Sequence, residues 1–128
     1  VYRAHPDRTF ASEYGSEVLV LPLIREQLDG LLETVDIDRE KRWDIRLAVT
    51  EACSNAIRHA YPDSGGTFQV AADITSERLT VTVRDAGCGA TEHLVPRLGM
   101  LLVHEAADAV TLEDANPGLI VRMSFSLG

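Results

Sequence analysis

Between Leu47 and Tyr61 the chain reads LAVTEACSNAIRHAY, and this stretch gathers polar residues at a spacing that suits chemistry. Glu51 and Asn55 stand four residues apart, and Arg58 and His59 follow within one further turn. On a helix, 100° per residue brings these four side chains within about a quarter of the circumference. Ala48, Ala52, Cys53, Ala56, Ile57 and Ala60 cover the adjoining side, so the polar stripe borders a surface that must be buried. A carboxylate and a carboxamide held at such an edge reach into a cleft while the helix stays anchored. That is an active-site geometry, although spacing alone does not name the reaction.

Two further segments carry compatible chemistry. Asp85-Ala86-Gly87-Cys88-Gly89 ends a strand in a glycine-rich loop. An aspartate there can accept a hydrogen bond from an exocyclic amine, and glycines beside it allow close backbone approach to a ligand. Leu98-Gly99-Met100-Leu101 opens a helix whose first N–H groups can bind phosphate. Each feature also has a plain structural reading: a solvated helix face, a turn with positive φ, an ordinary loop-to-helix junction. Neither the G-x-x-x-x-G-K-S/T loop nor G-x-G-x-x-G spacing is present, so the two common nucleotide motifs do not apply.

These segments need elements to position them. Arg8–Tyr14 is a strand candidate with imperfect alternation. A helix is expected over about Val18–Val35, starting near Leu19–Leu21 because Pro22 fits only the first turn. Asp36 or Asp38 can cap the next helix, Arg39–Ala60, whose apolar face is expected to include Trp43 as well as Ile45, Ala48, Val49, Ala52, Ala56 and Ile57. Tyr61-Pro62 ends it, and Asp63-Ser64-Gly65-Gly66 makes a turn. Thr67–Ile74 and Arg78–Arg84 read as an antiparallel strand pair, the second alternating Leu79, Val81 and Val83 against Thr80 and Thr82. Leu98–Ala107 reads as a helix with Leu98, Leu101, Leu102 and Ala106 inward. Ala109–Glu113 and Leu119–Leu127 form the last strands, joined through Asn116-Pro117-Gly118. This order predicts an α+β fold: a two-layer sandwich with a mixed, mostly antiparallel sheet and about three helices on one face.

At 128 residues the chain suits a single domain spanning 1–128, and its start at Val1 suggests a domain cut from something longer. Twelve basic against 20 acidic residues give a net charge of −8, which argues against broad nucleic-acid binding but leaves room for a small anionic ligand. Two cysteines make neither a disulfide framework nor a metal set, and Cys53 reads as a small core residue. No signal peptide or membrane span is visible, so a cytoplasmic setting is expected.

The ordered set of a helix with Glu-x-x-x-Asn, two strands, Asp-x-Gly-x-Gly, a glycine-led helix and a final strand pair resembles the GHKL (Bergerat-fold) ATP-binding superfamily. The text TEACSNAIRHAY resembles the anti-sigma-factor serine kinases of bacteria in particular, and the resemblance covers about Arg8 to Gly128. It implies ATP and Mg²⁺ as cofactors. It implies that Asn55 ligates Mg²⁺, that Glu51 is the general base, and that Arg58 and His59 lie near the phosphates. By the same resemblance Asp85 recognises the adenine amine, Gly87 and Gly89 begin the ATP lid, and Gly99 follows it. The implied partners are a sigma factor and an anti-anti-sigma (STAS-type) protein phosphorylated on serine, with neither nucleic acid nor membrane contacted directly and a homodimer possible.

Three positions depart from that pattern. Arg97-Leu98-Gly99 lacks the first glycine of the usual Gly-x-Gly, only nine residues separate Gly89 from Gly99, and Gly118-Leu119 replaces a frequent Gly-Thr. The lost hydroxyl corresponds to around 1 kcal/mol, a several-fold change in affinity. Two other readings follow from the same residues: a module that sequesters its partner without catalysis, and the catalytic domain of a histidine kinase lacking its phosphoacceptor helix.

Overall fold

The computed structural model describes residues 8–59, 66–87, 98–115 and 117–127. In chain order these form β1 (Arg8–Gly15), a 3-10 turn (Val18–Val20), α1 (Leu21–Leu32), α2 (Arg39–His59), β2 (Thr67–Ile74), β3 (Arg78–Asp85), α3 (Leu98–Ala106), β4 (Ala109–Asp114) and β5 (Leu119–Ser126). The sheet runs β1-β2-β3-β5-β4, and all four of its ladders are antiparallel. The expected α+β two-layer sandwich is therefore present, with a sheet antiparallel throughout rather than mixed.

Strict alternation on the central strands makes the sheet two-sided. Phe68, Val70, Ala72 and Ile74 of β2 face inward, as do Leu79, Val81 and Val83 of β3 and Leu119, Val121, Met123 and Phe125 of β5. The register aligns them in rows: Ile74–Leu79–Phe125, Ala72–Val81–Met123 and Val70–Val83–Val121. A slip by one residue would turn every row toward solvent, so burial itself locks the register. β1 completes one edge, with Tyr14 opposite Phe68 and their ring centroids 5.9 Å apart.

The helices cover the inward face. In α1, Leu21, Ile24, Leu28, Leu31 and Leu32 are buried at helical spacing, and Pro22 sits in the first turn, where its missing N–H costs nothing. The helix ends at Leu32, three residues before the expected Val35. There the Thr34 hydroxyl donates to the Leu31 carbonyl at 2.7 Å and the Val35 N–H donates to Leu32 O at 3.3 Å, so tight-turn bonds take over the last carbonyls. Of the two candidate caps for α2, Asp38 serves: its Oδ1 accepts from the Lys41 N–H at 2.7 Å.

α2 buries Ile45, Ala48, Val49, Ala52, Cys53 and Ala56, and the alanines let it lie close to its neighbours. It packs on α1, α3 and β3. Two expectations about apolar faces are corrected here. Trp43 is 64% exposed; at 100° per residue it lies about 150° round from the centre of the buried stripe. In α3 the inward line is Met100 and Val103, continued by Ala107, whereas Leu101 is 54% exposed and Leu102 and Ala106 are half-buried. Apolar residues on every side of a nine-residue helix left its buried face ambiguous, and packing against α2 chose it.

Candidate active site

Asp85 is the last residue of β3, and alternation points its side chain to the helix-covered face. It stands between Phe68 on β2 and Leu119 on β5, in a row that is otherwise apolar, and it is 5% exposed. The Gly87 N–H donates to its Oδ1 at 3.0 Å. Burial pushes the Asp85 carboxyl above its ordinary value, while the Gly87 and Leu119 backbone N–H groups pull it part of the way back. Two N–H donors do not exhaust a carboxylate's acceptor positions, so one oxygen edge remains for a ligand amine.

Gly118 underlies this corner. Its φ is +100°, and a Cβ built there would lie 2.0 Å from the Asp85 carbonyl oxygen and 2.7 Å from the Ala86 Cα. Only glycine fits, both for the backbone angle and for the close approach. In the sequence Gly118 reads as the end of an Asn-Pro-Gly turn and, by resemblance, as the glycine of the family's Gly-Thr; neither signal placed it against the Asp85 main chain. Leu119, next along, is 1% exposed and faces inward across from Asp85, where a threonine would offer a hydroxyl.

On α2, Glu51 and Asn55 are both half-buried at the rim of the buried stripe, and Arg58 is exposed one turn on. One helical turn between Glu51 and Asn55 is a rise of about 6 Å. His59 closes the helix. The Ser16 hydroxyl donates to the Ile57 carbonyl at 3.2 Å, tying the last turn of α2 to the segment after β1. Neither this bond nor the burial of Ser54 (8% exposed) was foreseen from sequence. Gly99 is the second residue of α3, and α3 packs on α2. α2 thus carries Glu51, Asn55 and Arg58, and it packs both on β3, the strand that ends in Asp85, and on α3, which contains Gly99. Gly89 lies outside the described residues, as do Cys88, the expected turn at 63–65 and the segment 90–97.

Among the described residues no three His, Cys, Asp or Glu side chains gather into a metal cage. The donor present is the Asn55 carboxamide oxygen, which fits Mg²⁺, since that ion takes few protein oxygens and fills its octahedron with phosphates and water. Among the described residues no helix is long and apolar enough to cross a membrane.

An antiparallel sheet ending β3 in a buried carboxylate, covered by a helix that carries a Glu/Asn stripe, defines an α+β domain of the GHKL class. Residues 17–125 match the histidine kinase-like ATPase domain, and the chain belongs to that family. Its similar proteins include an anti-sigma F factor of Clostridium acetobutylicum, 40% identical over 63 residues, which are 49% of this chain and 39% of that protein. Serine-protein kinase RsbW of Bacillus subtilis is 35% identical over 66 residues, covering 51% of this chain and 41% of the kinase. RsbW of Bacillus pumilus is 29% identical over 123 residues, covering 80% and 75%. With the first two relatives, then, the chain shares less than half of their length. The crystal structure of the RsbU and RsbW domains of a Mycobacterium tuberculosis protein superposes with a TM-score of 0.75 at 20% identity, over 94% of this chain and 32% of that one, so the fold is shared.

Proposed function

We propose that this chain is an anti-sigma regulator with Mg-ATP-dependent serine-protein kinase activity, acting in the cytoplasm as a single domain. The observation that carries the reading is the Glu51–Asn55 pair, one turn apart on a helix that packs on β3, the strand ending in the buried Asp85. The relatives named anti-sigma factor and serine-protein kinase support it.

In this reading Asp85 accepts the exocyclic amine of adenine, and Gly118 keeps the backbone tight beneath it. Asn55 would hold Mg²⁺, Arg58, His59 and Gly99 would serve the phosphates, and Gly87 and Gly89 would begin the lid. Bound Mg-ATP supplies the phosphoryl group, with the metal offsetting phosphate charge. Glu51 takes the proton from the attacking serine hydroxyl, a general-base role worth about 10²–10⁴-fold. The partners are a sigma factor, held until released, and an anti-anti-sigma protein of STAS type that bears the serine; the chain can act as a homodimer. A phosphoserine adds nearly two negative charges, which weakens a complex with a chain of net charge −8.

The deciding experiment measures phosphate transfer from labelled ATP to a purified STAS-type protein, for the wild type and for Glu51→Ala. Transfer by the wild type, reduced about 10²-fold or more in the variant, is the expected result. Undiminished transfer would remove Glu51 from the mechanism. One observation favours a second reading, a sequestering module without catalysis: apolar Leu119 lines the wall opposite Asp85. Calorimetric titration with Mg-ATP separates the two, since a module of that kind gives no binding heat.

A further inference from the structure

Ser16 stands just past the end of β1 and makes bonds in two directions. Its N–H donates to the Gly66 carbonyl at 2.9 Å, which carries the β1–β2 ladder one step beyond the Gly15–Thr67 pair. Its hydroxyl donates to the Ile57 carbonyl at 3.2 Å, 41 residues on, in the last turn of α2. This contact is part-buried, so water competes with it less than at the open surface. α2 ends at His59, and the carbonyls of its last four residues find no N–H donor inside the helix. The Arg58 carbonyl lacks even the next donor in line, because the residue four positions on is Pro62. Helix ends fray first, and this one is held by a donor from another part of the fold.

That donor acts on the turn that carries Arg58. The Ile57 carbonyl and the Arg58 N–H belong to one planar peptide unit, so a bond that holds the carbonyl also sets the direction in which the Arg58 side chain leaves the helix. Arg58 is exposed, and no ion pair among the described residues orients its guanidinium. A helix C-terminus also carries about half a negative charge, which repels phosphate. A hydroxyl hydrogen placed on one of the last carbonyls offsets part of that charge.

We propose that Ser16 is a positioning residue for the nucleotide phosphates: its hydroxyl fixes the last turn of α2 and, through the Ile57–Arg58 peptide, aims Arg58 at them. This rests on the ATP-binding reading above and adds to it a residue that acts through Arg58.

Ser16→Ala removes the hydroxyl and Ser16→Thr keeps it. Thr34→Ala is the structural control. The Thr34 hydroxyl donates to the Leu31 carbonyl at 2.7 Å, a bond of the same kind at the end of α1, where none of the proposed nucleotide residues sits. By calorimetry Ser16→Ala is expected to bind Mg-ATP about three- to tenfold more weakly, the equivalent of one hydrogen bond, with Ser16→Thr and Thr34→Ala within about twofold of wild type. In an Arg58→Ala background Ser16→Ala is expected to change affinity by less than about twofold, since the contact it serves is already gone. Hydrogen exchange without nucleotide is expected to speed up at the amides of residues 57–59 in Ser16→Ala and not in Thr34→Ala. Wild-type affinity in Ser16→Ala, no rescue by Ser16→Thr, an equal loss in Thr34→Ala, or additive losses with Arg58→Ala would each overturn the proposal. A wild type that takes up no Mg-ATP would instead refute the nucleotide reading itself, and the phosphate role of Ser16 with it. Exchange then still decides whether Ser16 holds the end of α2, since that measurement needs no ligand.

Discussion

Gly118 leans against the main chain of Asp85 so closely that a Cβ on it would lie 2.0 Å from the Asp85 carbonyl oxygen. The carboxylate proposed to select adenine is thus braced from behind by a residue 33 positions later, on the turn that leads into β5. Gly118→Ala must move the β3 end or the β5 start, and its φ of +100° adds strain of its own. A loss of about 2–4 kcal/mol is expected, read as a fall in thermal midpoint. Gly30→Ala is the counter-test. A Cβ at Gly30 meets nothing within 4 Å inside α1, so this variant should gain about 0.5–1 kcal/mol.

Asp85→Asn should change how stability depends on pH. Burial raises the folded-state pKa of Asp85 above the ordinary 3.8. The associated stability is therefore fully present below that ordinary value and is lost as pH rises through the raised one. The asparagine variant loses nothing over that interval, so its stability relative to wild type should improve in urea titrations as pH rises from below the ordinary carboxyl value through the raised one. Adenine nucleotides should bind about tenfold more weakly to it, because an amide presents a donor where the carboxylate offered only acceptors. A flat stability difference across that range would contradict the assigned burial cost.

Leu119→Thr tests the wall facing Asp85. Leu119 is 1% exposed, so truncation and a new hydroxyl should cost about 2 kcal/mol or more in folding. Nucleotide affinity should nevertheless rise several-fold, by about 1 kcal/mol, as measured by calorimetry. Lower stability together with lower affinity would show that this wall does not face the base.

Asn55→Ala should separate metal from nucleotide. Asn55 is half-buried at the rim of α2, so the fold should persist. Affinity for Mg-ATP should drop on the order of tenfold, toward the value for ATP with the metal chelated, and metal-free affinity should barely change. An equal loss with and without Mg²⁺ would assign Asn55 to the nucleotide itself.

Local chemistry made most of the elements readable. Period-2 alternation in β3, Pro22 at a helix start and an aspartate cap before Arg39 are decided by neighbours in the chain, and β2, β3 and the start of α2 stand where those signals put them. The Glu51–Asn55 stripe was equally legible, because helical geometry alone brings residues four apart to one side. The inward faces of α2 and α3 were less so. Trp43 and Leu101 are apolar enough to have been core, and only the positions of the sheet and of neighbouring helices leave them in water.

Long-range packing decided the rest. Asp85 became a buried carboxylate only when the β2–β3–β5 register set it between Phe68 and Leu119. Gly118 acquired its role only when β5 laid its turn against β3. Arg25 of α1 meets Thr50 of α2 only because the two helices pack together. Sequence by itself determined which side chains could do chemistry and on which elements they sit, since those follow from residue type and local backbone preference. Their environment, and with it their charge state and accessibility, belongs to the tertiary structure, because desolvation and close approach are set by residues far away in the chain.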